Sequence, residues 1–349
     1  CFARMQPTFA LKSGELVTIY VMLAVASSLA GHDLLSGLIP MIPHAFWFAS
    51  EENDWAALFH KHIPDWLAVK DKAFLADYYR GESSFYHWEV MQGWFRTTVV
   101  WGSFVCVLAF VMVCINSVIR KQWIEHEKLS YPIIQLPLAL TSRQYNSNIL
   151  TNKMLWFGVC LAGAIDVLNG LHFLYPVVPS LGGKLYDIGE LFTQRPWSAI
   201  GRTPVAVYPF AIGLAFFIPL DLSFSCWFFF LFWRVVRIFD DTARILHSNT
   251  LTYQTFGACI GLSIIALFVT RQHILQAIKK ALRNDTPLAD TGEPMSYRTA
   301  ILGGITGLLF IIVFCKAAGM SIWVILVFFG IYFALSMAVT RLRAELGAP

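Results

Sequence analysis

The sequence predicts an all-α protein: a polytopic transmembrane helical bundle with broken helices and re-entrant segments. Three observations carry this. Charged residues make up 14% of the chain and hydrophobic ones 57%, against about 25% charged in soluble domains, and mean hydropathy is +0.59. The apolar residues gather into runs of 15 to 25, and a helix needs about 20 to cross a bilayer. Several runs also contain proline, and non-helical backbone survives at membrane depth only where protein or a water-filled cavity satisfies its N–H and C=O groups.

In chain order, Leu16 to Ala30 is an uncharged run, followed by Gly31-His32-Asp33 and a second apolar run, Leu34 to Ser50, with Pro40 and Pro43. A helix broken here would set Asp33 beside freed backbone groups, as transporters build ion and substrate sites; a tight surface turn between two short spans is the alternative. Glu51 to Arg96 is the one extensive polar region and is rich in Trp, Tyr and Phe. Amphipathic aromatics favour the membrane interface, so it reads as short helices lying on the bilayer, or as a lid over a substrate entrance.

Thr97 to Ile119 is the clearest span, with 23 uncharged residues. The stretch Arg120 to Leu140 follows, and the rest of the chain reads as walls around it. Its first half is charged and helix-prone; its second, Tyr131 to Leu140, is apolar, broken by Pro132 and Pro137, and too short to cross. It is expected to dip into the membrane and return.

Met154 to Val178 is the next span, and Asp166 near its middle is its one formal charge. A carboxylate there costs about 2.5 to 3.5 kcal/mol on insertion scales and must face protein or water, as a coupling group or as a packing hydrogen bond. Asn169 and His172 follow at helical spacing, and a break at Asn169-Gly170 would bring Asp166 closer to the interface. Pro204 to Leu220 and Leu222 to Phe239 read as two spans around Pro219 and Asp221, either a break inside the membrane or a surface hairpin. Leu251 to Thr270, Thr299 to Cys315 and Ala317 to Thr340 complete the set, with Gly257 and Gly261, then Gly303 and Gly307, spaced for close helix contact. The Lys and Arg bias favours the hairpin, which puts the central stretch on the cytoplasmic side and Glu51 to Arg96 outside.

The composition excludes other classes. The net charge of +4 is spread along the chain, with none of the basic clustering of a nucleic-acid partner. Six of the seven cysteines lie in apolar segments, where a thiol behaves as a small hydrophobe. His60 and His62 are two apart and fall on different helix faces, and His126-Glu127 begins an H-E-x-x-H pattern that Ser130 ends; neither makes a metal site. No cofactor is implied. The chain begins at Cys1 without a signal-peptide pattern and reads as a single transporter-like domain, a fragment incomplete at both ends.

Certain residues resemble a known family. Trp123-Ile124-Glu125-His126-Glu127-Lys128-Leu129-Ser130-Tyr131-Pro132 resembles the acidic, then Lys-Leu-x-x-Pro, stretch of the oligopeptide transporter superfamily. Tyr208-Pro209 with Ile218-Pro219-Leu220-Asp221-Leu222-Ser223 is similar to its later proline-broken segment. The closing Arg341-Leu342-Arg343-Ala344-Glu345-Leu346-Gly347-Ala348-Pro349 resembles the Arg-x-Arg-Ala-Glu-x-Gly-x-Pro stretch of its prokaryotic relatives. The resemblance covers Arg120 onward better than the first hundred residues. It implies a secondary transporter with internal repeats, moving small peptides or amino-acid-derived metal chelates with protons, in a prokaryotic cytoplasmic membrane. The long Glu51 to Arg96 region and the missing Asn-Pro-Gly-type signature depart from the peptide and chelate carriers.

Transport needs groups that change protonation and backbone reachable from either side. Asp166, Asp221 and Glu125 are the coupling carboxylates such a carrier would use, with His172 and His126 as further proton-carrying candidates. Tyr131, Gln135 and Tyr208 would hold substrate beside carbonyls freed by the prolines. The bland alternatives are surface charge for Glu125 and interface anchoring for Tyr208. The implied partners are a small-molecule or peptide substrate, protons and the lipid bilayer, and a homo-oligomer is compatible with all of this. The competing classes are a membrane enzyme acting on lipid-linked substrates, with no recognisable catalytic signature, and a subunit or scaffold of a membrane complex.

Overall fold

The computed structural model describes residues 11–31, 34–81, 84, 86–141, 151–181, 186–206, 208–243, 250–283 and 292–347. The described residues are 78% helical. Its main helices are α1 (Ser13–Ala30), α2 (Leu35–Trp47), α3 (Lys72–Arg80), α4 (Trp88–Lys121), α5 (Pro132–Thr141), α6 (Lys153–Leu174), α7 (Pro209–Phe217), α8 (Leu220–Ala243), α9 (Thr250–Arg283), α10 (Tyr297–Ala317) and α11 (Ile322–Leu346). Counting α1 with α2 as one, seven helices among the described residues are long and apolar enough to cross a membrane. The protein is therefore an all-α, polytopic helical membrane protein.

Several boundaries differ from the sequence reading, each for a physical reason. The break after Ala30 is present, with α2 resuming at Leu35, while Asp33 lies outside the described residues. Tyr131 to Leu140 is not a broken coil but one helix, because Pro132 sits at the first helical position, where its missing N–H costs nothing. Pro204 to Leu220 is not a span: Pro209 opens a helix and Ile218-Pro219 ends it after 9 residues, or about 14 Å, so the hairpin behind the orientation reading lacks its first arm. Asn169-Gly170 does not break α6, which runs on to Leu174. The helices α4 and α9 have 34 residues each, about 51 Å, and outreach a hydrocarbon core of about 30 Å.

Contacts divide the chain into two compact units: residues 1–21, 129–263 and 335–349, and residues 22–128 and 264–334. In the first, α6 and α8 bury no residue. Their apolar side chains face outward, as on helices solvated by lipid. A two-stranded pair, β1 (Tyr186–Asp187) and β2 (Pro204–Val205), closes the loop between α6 and α7. Asp187 pins it by accepting from the Gly189 and Thr203 backbone N–H groups at 2.9 and 2.6 Å.

In the second unit α10 packs along α4 over a core of Val111, Ile311, Cys315, Ile325 and Phe329. Glycine makes this approach close. A Cβ on Gly303 would lie 2.8 Å from the Phe110 ring, and one on Gly307 would collide with the Val111 side chain, which is fully buried. The Nε2–H of His273 on α9 donates to the Val118 carbonyl at 2.9 Å, and Arg120 pairs with the nearly buried Glu293 carboxylate at 2.9 Å.

The polar, aromatic region 51–96 has a core of its own. Ala68, Val69, Leu75 and Trp94 are buried with Phe46, and Trp47 stacks on Tyr79 with ring centroids 5.0 Å apart. Polar tips tie it to the spans: the Tyr79 hydroxyl donates to the Pro40 carbonyl at 3.0 Å and the Trp101 indole N–H to that of Leu67 at 2.8 Å. Burial raises the pKa of Tyr79. Hydrogen bonding and charge attraction from Lys70 lower that of Asp65. The region thus packs as a cap around this core.

Overpacking a close contact costs about 1–3 kcal/mol. Gly307→Ala is expected to destabilise the purified protein by that order, read as a lowered thermal midpoint. Gly304→Ala, whose new methyl would meet Cys114 at an ordinary 3.5 Å, should leave it near wild type. Equal effects of the two would contradict the packing described.

Candidate functional site at the Tyr-Pro half-helices

The stretch between α4 and α5 holds the least regular backbone among the described residues. After Lys121 the helix widens into one π turn, Gln122–His126, a form found mostly as single turns and often at functional sites. Lys128 and Tyr131 then take left-handed conformations, with φ of 51° and 43°. A proline bars the preceding residue from the helical region, so Tyr131 cannot simply begin α5. Left-handed backbone in a bulky residue costs about 1–2 kcal/mol and persists only where neighbours over-determine it.

Those neighbours are the last turn of α11. The Tyr131 backbone N–H donates to the Ala344 carbonyl at 2.8 Å, and the Ser130 hydroxyl to the Glu345 carbonyl at 2.9 Å. The final carbonyls of a helix have no partner within it, so each side satisfies the other. Gly347 closes α11 with φ of 69°, the left-handed turn that glycine supplies at helix ends. A Cβ there would lie 3.1 Å from Pro132. At the other end of α5, the Ser13 hydroxyl donates to the Thr141 carbonyl. Both ends of a 10-residue helix are thereby fixed.

A second short helix meets it. Tyr208-Pro209 opens α7 as Tyr131-Pro132 opens α5, and α7 packs against α5 within the first unit. Tyr131 is half-buried, while Tyr208 is 45% exposed at the start of α7. Gln135 is exposed on α5, with its amide donating to the Ser130 carbonyl at 3.2 Å. Two tyrosines and an amide thus flank a pair of half-helices, a set able to hydrogen-bond a polar solute.

The other candidates are placed less tightly. Asp221 is exposed in the first turn of α8, just after Pro219, where a carboxylate complements the positive end of the helix. Asp166 is exposed on α6, so within this chain it does not meet the expectation of a carboxylate enclosed by protein. His172 is committed elsewhere: its Nδ1–H donates to the Val178 carbonyl, while the Asn169 side chain bonds both backbone groups of Leu181 at 3.0 and 3.1 Å. Together they hold the turn that follows α6. Glu125 and His126 are exposed on the π turn, in the second unit.

Sequence reasoning missed two features. The tail Arg341 to Gly347 served there only as a resemblance, yet Ala344, Glu345 and Gly347 position the left-handed turn. Gln272, His273 and Gln276 line a polar pocket of about 330 Å³ with Lys121, Gln122 and His126 beside the π turn. The spacing of Gln272 and Gln276, four apart on one helix face, was the available signal.

Architecture and breaks together define a class: an integral membrane protein whose spans are interrupted by proline-led half-helices. Within that class the chain belongs to a family of unknown function, DUF6785, whose profile matches residues 1–349. No curated protein and no solved structure matches the chain.

Gly347→Ala is expected to cost about 1–2 kcal/mol from left-handed backbone, plus crowding at Pro132, and Ser130→Ala about 1 kcal/mol from a lost hydrogen bond. Chemical or thermal unfolding in detergent measures both. A Gly347→Ala protein as stable as wild type would refute the close approach of tail and half-helix.

Proposed function

We propose that this chain is a secondary active transporter of the oligopeptide-transporter type, carrying small peptides or amino-acid-derived metal chelates with protons across a prokaryotic cytoplasmic membrane. The observation that supports it most is the pair of Tyr-Pro half-helices packed together in one unit. Half-helices expose backbone groups where no continuous span can, and carriers bind polar solutes at such breaks. Tyr131, Gln135 and Tyr208 are the proposed solute contacts, with substrate approaching the half-helix ends.

Asp166 and Asp221 are the proposed coupling carboxylates. A carboxylate at the depth of Asp166 calls for protein or water around it, and homo-oligomerisation through the α6 face would supply that. His172 is the weaker candidate, because its ring already serves the turn after α6. Glu125 would act from the π turn, and Asp33 from the break between α1 and α2.

Uptake by proteoliposomes, driven by an inward proton gradient and offered a peptide and metal-chelate library, tests this. Accumulation should collapse without the gradient. Asp166→Asn should reduce gradient-driven accumulation at least tenfold while leaving the circular dichroism spectrum unchanged, and Tyr131→Phe and Tyr208→Phe should raise the half-saturating concentration. Absence of accumulation together with turnover of lipid-linked substrates in the same vesicles would overturn the carrier reading in favour of a membrane enzyme.

A further inference from the structure

A cavity of about 740 Å³ lies within the second unit, between α2, α3 and α4 beneath the aromatic cap. That volume falls in the range of small-molecule sites, roughly 300–1,000 Å³. Leu38, Ile42, Trp94, Trp101 and Val105 contribute to an almost wholly apolar wall. At its cap end stand Asp77 and Tyr78, and Asp77 is the one charged residue among the described residues of the lining.

Asp77 is exposed at the rim of the cavity. It lies in the second half of α3, toward the negative end of the helix, where an acid is disfavoured. Its carboxylate takes part in no hydrogen bond or ion pair among the described residues. The nearby Arg80 guanidinium sits over the Trp47 ring instead, 5.9 Å from its centroid.

We propose that this cavity binds an amphipathic amine, its alkyl or aryl body against the apolar wall and its cationic head against Asp77. The charge pattern selects the head group. No lysine or arginine is among the described lining residues, so a phosphate or carboxylate head would meet the Asp77 charge there and be repelled. An ammonium gains a charge-assisted hydrogen bond there, and a neutral hydroxyl gains less. The site lies in a different unit from the α5–α7 pair and does not depend on the carrier reading.

The test uses the full chain in lipid nanodiscs and four probes, 12-bromododecyl amine, alcohol, carboxylate and phosphate. Bromine quenches tryptophan fluorescence at contact, and Trp94 and Trp101 line the cavity. The amine should quench saturably at a concentration at least tenfold below that of the alcohol, with the two anions weaker still. Asp77→Asn should erase the preference of amine over alcohol. Gly102→Leu should abolish saturable quenching by every probe without loss of fold, because Gly102 lines the cavity and a Cβ there meets nothing within 4 Å. Equal quenching by all four probes in wild type and Asp77→Asn would overturn the proposal, as would quenching that never saturates or survives Gly102→Leu.

Discussion

Backbone groups freed by a broken helix must find partners inside the protein, because lipid offers none. This constraint accounts for the most irregular part of the described chain. Pro132 bars Tyr131 from the helical region and so stops the chain from passing smoothly out of the α4 extension into α5; Tyr131 takes left-handed backbone, held by its neighbours. The N–H so displaced goes to a carbonyl that α11 leaves unpaired at its own end. Two helix termini that would each be costly alone are satisfied together. Ser13 does the same at the far end of α5, so a helix too short to cross is held at both ends.

The second unit obeys the same rule by other means. Its helices α4 and α10 keep their backbone bonds internal and gain contact through Gly303, Gly307 and buried side chains. The expected close contact at Gly257 and Gly261 of α9 is not seen among the described residues: a Cβ at either meets nothing within 4 Å. Where the chain leaves the spans, indole and phenol groups take over. Trp101, Trp94 and Tyr79 each bury a ring and spend their single polar hydrogen on a loop or helix carbonyl. These bonds tie the cap to the spans, and Gly102 lines the apolar space beneath it.

Much of the fold was legible in the sequence, since hydropathy follows directly from the cost of placing charge in lipid. The break after Ala30, the span through Thr97 to Ile119 and the paired glycines of α10 all follow from residue type. Helix ends were less legible. Arg271 closes the apolar run in α9 but not the helix, because Gln272 to Arg283 is rich in good helix formers and continues outside the lipid. Conversely, Pro204 to Leu220 is apolar throughout, yet Pro209 and Pro219 bound a helix of half the needed length. The candidate site was half visible. Tyr131, Gln135 and Tyr208 stood out beside their prolines, whereas the role of Ala344, Glu345 and Gly347 depends on a contact across more than 200 residues that no local pattern encodes. Asp166 stood out by cost alone, and cost does not say what surrounds it.

Amide hydrogen exchange of the full chain in nanodiscs, resolved at Tyr131, tests the central claim most directly. Tyr131 precedes α5 and has no helical partner for its N–H, so its protection depends on the Ala344 carbonyl. The account predicts exchange as slow as in the body of α11, and faster exchange at Tyr131 in Gly347→Ala. Exchange at Tyr131 as fast as in an exposed loop, with α11 itself protected, would show that the tail does not hold the half-helix and would contradict the account.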